Sequence, residues 1–178
     1  MKYFFDKIWF SWKEIDPNVH LKYKCGQIIP QLIFGAKYYR CIAAAVRAFK
    51  VTNFLELGVR EGACSLLVSQ QCNVDALDTD WFNWAVYEKP SNLNTFNVKE
   101  EDCLTWDYSK YQMALIDIDH SGKYEWRIHE KLRKEFKGIA FWDDIGIGNM
   151  QDVWRDIKEK KISLDWHNSG FGAVFYGN

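Results

Sequence analysis

Two short acidic runs gather side chains that could do chemistry: Asp117-Ile118-Asp119-His120 and Asp143-Asp144. Each follows an apolar stretch, residues 113–116 and 139–142. If those stretches are neighbouring strands, four carboxylates and an imidazole converge at one edge of a cleft. Carboxylates packed together raise one another's pKa unless a cation is present, and a hard divalent ion with oxygen ligands is the usual remedy. Mg²⁺ suits such a set, with Mn²⁺ or Ca²⁺ as substitutes. A third constellation, Glu56-Leu57-Gly58-Val59-Arg60-Glu61-Gly62, runs an apolar strand into an acid and two glycines. Gly58 and Gly62 are expected to let the backbone approach a nucleotide-like ligand with no Cβ in the way. The turn has neither Gly-x-Gly-x-x-Gly spacing nor a Lys-Ser/Thr pair, so a diphosphate is not its expected guest. A second apolar run, Val74 to Leu77, ends in Asp78, which is 22 residues beyond Glu56. A carboxylate at that strand tip accepts both hydroxyl hydrogens of a ribose, with Asp80 as the alternative.

The elements that must position these residues alternate along the chain. Apolar spacing predicts a helix over 38–50, a strand over 52–57, a helix over 63–71 and a strand over 74–78. A loop containing Pro90 and a short helix follows, then strands near 94–98 and over 112–118. The chain continues with a helix over 124–136, a strand over 138–142, a helix over 150–160 and closing strands over 162–167 and 171–176. The last two are joined across Asn168-Ser169-Gly170 as a hairpin. Strands separated by helices argue for an α/β, Rossmann-like, mostly parallel seven-stranded sheet with helices on both faces. Ligands then bind beyond the carboxyl ends of the strands. In the helix over 124–136, Tyr124, Ile128, Leu132 and Phe136 share one face and the charges lie elsewhere, as in an ordinary solvated helix.

The pattern Glu-x-Gly-x-x-x-Gly resembles the first motif of the class I methyltransferases, which use S-adenosylmethionine. The terminal antiparallel hairpin resembles that fold too. Ile116-Asp117-Ile118-Asp119-His120-Ser121 resembles the Ile-Asp-Gly-Asp-His-Ser signature of a group of small methyltransferases that tailor sugars and antibiotics, with Ile118 standing where that group has glycine. Trp142-Asp143-Asp144 and Gly170-Phe171-Gly172 resemble its second acidic pair and closing strand. A more distant similarity is to the catechol and caffeoyl-coenzyme A O-methyltransferases. The resemblance implies Asp117, Asp143 and Asp144 as metal ligands and Asp119 or His120 as the base, with Lys123 competing for that role. It leaves open whether Asp117 or Asp119 binds the metal, the two being expected on opposite sides of the chain. Glu56, Gly58, Gly62, Asp78, Asp102 and Asp117 form the expected cofactor-binding set. Trp81, Phe82 or Trp84 is expected to flank the adenine.

These features imply divalent-metal-assisted O-methylation of a small hydroxylated acceptor by a single domain, 1–178, with residues 1–35 covering the substrate. A non-catalytic S-adenosylmethionine-binding subunit or regulator is the alternative. A nicotinamide oxidoreductase has the wrong glycine spacing. With 23 basic and 24 acidic residues the formal net charge is −1, which gives no electrostatic footprint for nucleic acid. Five scattered cysteines, with no Cys-x-x-Cys, indicate neither a disulfide framework nor a zinc knuckle. The aromatic N-terminus is broken by Asp6, Lys7 and Lys13, leaving no apolar run long enough for a signal peptide or a membrane span. The expectation is a soluble cytoplasmic protein whose partners are a small acceptor and, at most, copies of itself.

Overall fold

The computed structural model describes residues 2–16, 18, 29–60, 62–79, 89–164 and 168–177, with backbone alone at 29–36. Asp80, Trp81, Phe82 and Trp84 lie outside the described residues. Helix α1 (Lys2–Trp12) and helix α2 (Ile29–Ala48) precede strand β1 (Asn53–Leu57). Helix α3 (Ala63–Val68), β2 (Asn73–Asp78), β3 (Leu93–Asn97), α4 (Glu100–Thr105) and β4 (Met113–Ile116) follow. Helix α5 (Lys123–Glu135), β5 (Ile139–Asp143), α6 (Met150–Asp156), β6 (Lys160–Leu164) and β7 (Phe171–Phe175) complete the chain. The sheet has seven strands in the order β3-β2-β1-β4-β5-β7-β6. The first five run parallel, and β7 is antiparallel to both β5 and β6.

Strands buried on both faces read as continuous apolar runs, and β4 (Met-Ala-Leu-Ile) is buried throughout. Alternation then divides the sheet between two cores. Phe54, Val74, Ala76, Met113, Leu115 and Phe141 pack with α1, α2 and α3 on one face. Leu55, Leu57, Leu77, Ala114, Ile116 and Trp142 pack with α4, α5 and α6 on the other. Each such Val, Leu, Ile, Phe or Met side chain, fully buried, contributes roughly 1.5–3 kcal/mol of transfer free energy. Tyr124, Ile128 and Leu132 fall four apart on α5 and are all buried, as their spacing predicts.

The differences from the sequence reading lie at element ends. Helix α2 begins nine residues before the predicted 38, where Pro30 fits a first helical turn. Helix α6 stops at Asp156 and β6 begins at Lys160, because Lys161 folds back to donate its ammonium to the carbonyls of Trp154 and Ile157. Helix α4 is an element that apolar spacing does not reveal. Cys41, Cys64, Cys72 and Cys103 are buried free thiols. No helix among the described residues is long and apolar enough to cross a membrane.

Candidate active site

Parallel register places the acids. Leu57 pairs with Leu77 on one side and with Ile116 on the other, and Ile116 pairs with Trp142. The next residue on each strand is therefore Asp78, Gly58, Asp117 or Asp143, a single row across the carboxyl ends of β2, β1, β4 and β5. Residues in one row of a parallel sheet share a face, and this row faces α2 and α3. A cavity of about 490 Å³ opens there, lined among others by Gly58, Asp78, Asp117, His120, Asp143 and Asp144.

The glycine turn and Asp78 form one unit. One oxygen of Asp78 accepts the N–H groups of Val59 at 2.6 Å and Arg60 at 2.7 Å. Gly58 has φ +79°, and a Cβ built on it would lie 1.6 Å from the carbonyl oxygen of Asp117. Glycine is thus demanded by the neighbouring strand end, and Gly58 also lines the cavity. Glu56 is buried behind the turn, accepts the Ser65 hydroxyl, and is pushed up to about 8 by burial. Gly62, φ +79°, caps α3. Asp102 caps α4 by accepting the Lys99 N–H at 2.7 Å. Neither Glu56, Gly62 nor Asp102 is among the residues that line the cavity.

The strand-four loop sets the other wall. Strand β4 ends at Ile116, so strand alternation, which would put residues two apart on one face, does not govern Asp117 and Asp119, and both line the cavity. Asp117 turns to His120, whose Nε2 lies 3.2 Å from Asp117 Oδ1 and 3.2 Å from Asp144 Oδ2, straight at neither. Asp119 lines the cavity and accepts the Ser121 N–H at 3.1 Å. The loop is held from below by Glu125, which is buried and accepts the N–H groups of His120 and Gly122. His120 itself is left-handed, φ +61°, and Asp144 is too, φ +54°. The carboxylate of Asp117 beside the ring, with Asp144 and Glu125 near by, outweighs burial and pushes the imidazole up to about 9. Burial first, and then Asp117 and Asp144, push Asp143 up to about 8, although its carboxyl accepts the Asp144 N–H and the Tyr38 hydroxyl.

Several wall residues carried no signal as site residues. Tyr38 and Tyr39 of α2 stand over the acid row with ring centroids 4.2 Å apart. Val98, Cys103 and Tyr124 close the opposite end. The Tyr124 hydroxyl is buried beside the Cys103 thiol. Periodicity marks tyrosines on a helix as buried, but it does not say against what. Six carboxyl side chains line the cavity, those of Asp78, Glu100, Asp117, Asp119, Asp143 and Asp144, against the cations Arg60 and His120. A site of that sign favours a cationic ligand and repels a polyphosphate.

The divalent ion expected from the sequence is not matched by this donor arrangement. Among the described residues no three His, Cys, Asp or Glu side chains are disposed to hold a metal. Asp143 is engaged by Tyr38 and by the Asp144 N–H, and the His120 ring stands between Asp117 and Asp144.

No family model and no curated protein sequence matches the chain. Solved structures do. A Staphylococcus aureus protein assigned as a caffeoyl-CoA O-methyltransferase superposes with a TM-score of 0.66 at 15% identity, over 90% of this chain and 96% of that one. A methyltransferase from Podospora anserina bound to S-adenosylhomocysteine (SAH) gives 0.61 at 10% identity, over 79% and 78%. An O-methyltransferase from Bacillus cereus in complex with SAH gives 0.59 at 14% identity, over 85% and 89%.

Proposed function

The chain shares the α/β fold of these methyltransferases, and from that premise we propose that it transfers a methyl group from S-adenosylmethionine to a hydroxyl of a small acceptor. The observation that carries this reading is the acid row: one cavity joins a ribose-type acid at Asp78 to a proton-handling cluster at Asp117, Asp143, Asp144 and His120. The residues present fit the cofactor. Asp78 would hold the sugar, Val98, Cys103 and the Tyr124 hydroxyl would take the base, and Asp117 would face the cationic centre. When bound, S-adenosylmethionine supplies an electrophilic methyl on a sulfonium.

The chain's own residues do the rest. Tyr38 and Tyr39 line the cavity beside the acid row and shield it in part from water, which strengthens the electrostatic interactions inside. Asp143 is the proton acceptor for the hydroxyl, because a base works best with a pKa near the working pH and Asp143 is raised to about 8. The imidazolium of His120 offsets the charge that Asp143 uncovers and orients Asp117 and Asp144. His120 is thereby assigned as the cluster's counter-charge and not as its base. Asp119 helps shape the loop. No step is assigned to a divalent ion.

Isothermal calorimetry with SAH, followed by methyl-transfer assays over hydroxylated sugars, catechols and phenols, tests the reading. SAH should bind, and turnover should rise with pH as Asp143 opens near 8 and fall as His120 loses its proton near 9. Failure to bind SAH refutes the proposal. Binding without transfer to any acceptor favours a non-catalytic S-adenosylmethionine-binding subunit.

A further inference from the structure

The tips of β4 and β5 hold carboxylates that a divalent cation would ordinarily bring together, yet a side chain of this chain already does so. His120 Nε2 is equidistant, at 3.2 Å, from an oxygen of Asp117 and an oxygen of Asp144, which belong to different strand ends. A Mg²⁺ ion needs its oxygens at about 2.0–2.1 Å in a near-octahedral set. The ring nitrogen, within 3.2 Å of both oxygens, competes with such an ion for the same pair. The backbone that carries the ring is held in place. His120 is in the left-handed region, and its N–H and that of Gly122 are both taken by the buried carboxylate of Glu125. Asn149 ties down the intervening residue by donating its side-chain amide to the Ser121 carbonyl at 2.9 Å. The third acid, Asp143, has its own partners in Tyr38 and the Asp144 N–H.

We propose that His120 is the resident replacement for a divalent cation in this site, cross-linking Asp117 to Asp144 so that the chain binds no metal there. The inference rests on the methyltransferase reading for its significance, but it is tested without turnover. Wild-type protein is titrated with Mn²⁺ and with Mg²⁺ by calorimetry and by thermal shift, beside His120→Ala and His120→Gln, and all three are titrated with SAH. The wild type is expected to show no metal heat and a melting shift below about 1 °C. His120→Ala, with the seat vacated and the carboxylates left facing one another, is expected to gain Mn²⁺ binding, with a shift of about 4 °C at roughly ten times its dissociation constant. The Gln variant keeps the volume and a donor and is expected to stay metal-blind. Saturable Mn²⁺ or Mg²⁺ binding by the wild type overturns the proposal, and so does a folded His120→Ala that gains none. The SAH titration stands apart: its loss in the wild type would count against the methyltransferase reading and leave the metal result to be judged alone.

Discussion

Replacing Asp143 with asparagine should stabilise the protein at alkaline pH while stopping the reaction. Asp143 is almost wholly buried, and burial together with Asp117 and Asp144 lifts it from the ordinary 3.8 to about 8. A carboxyl raised in the folded state holds its proton more tightly there than in the unfolded chain. Its contribution to stability is therefore complete below about pH 4 and drains away as pH rises through 8. Each tenfold step in proton affinity is worth about 1.4 kcal/mol, and about four such steps separate the two states, so the ceiling is about 6 kcal/mol. An amide keeps an acceptor for the Tyr38 hydroxyl and the Asp144 N–H, but the imidazolium of His120 loses part of the negative field that holds it. A net gain of about 2–3 kcal/mol above pH 8 follows, or roughly 5–10 °C for a domain of this size. Thermal unfolding of wild type and Asp143→Asn at pH 5 and pH 8.5 measures it. The two curves should lie within a few degrees at pH 5, where about 1.5 kcal/mol of the effect is already present, and separate much further at pH 8.5, with methyl transfer abolished throughout. An equal displacement at both pH values, or a variant that melts lower at pH 8.5, would refute the electrostatic account of the acid row.

Asp78→Ala removes the anchor of the glycine turn together with the sugar acceptor, so SAH affinity should fall about 30-fold or more, the loss of about 2 kcal/mol from a charge-assisted hydrogen bond. Calorimetry reads it, and unchanged affinity would move the cofactor away from this turn. Gly58→Ala should cost about 3 kcal/mol or more, since a Cβ there combines positive φ with a collision against a backbone carbonyl. Urea unfolding measures that loss, and a variant as stable as wild type would show that the β1–β4 approach is looser than described.

Much of the fold was legible because its signals are local. Unbroken apolar runs such as Phe54-Leu55 and Met113–Ile116 mark strands buried on both faces, and the spacing of Tyr124, Ile128 and Leu132 marks a helix. The hairpin around Gly170, φ +90°, was legible for the same reason. The convergence of Asp117 and Asp143 followed once β4 and β5 proved to be neighbours, although the sequence could state that only as a condition. What stayed hidden depends on contacts across the fold. Gly58 reads as a ligand-clearing glycine, but the backbone atom that would also exclude a side chain there belongs to Asp117, 59 positions further on. Asp102 looked like one more acid near the cofactor, and the chain spends it on the start of a short helix. The bridging posture of His120 depends on Glu125 below it and Asp144 across the strand gap, which no spacing rule encodes.

The place of β7 in the sheet bears on how the protein is made. The chain lays down β5, runs past the slot beside it to form the outer strand β6, and only then returns to fill the gap, pairing Phe171 with Asp143. Until residues 171–175 have left the ribosome, β5 presents a bare edge bearing Phe141 and Trp142. Strand edges of that kind pair readily with other chains, and a nascent protein waits at synthesis rates of about 5–20 residues per second. The hairpin that closes the sheet is thus also the step that retires its most adhesive surface. A chain stalled or cleaved before Phe171 should behave as a client for chaperones, with the β5 arm of its acid row still unpaired.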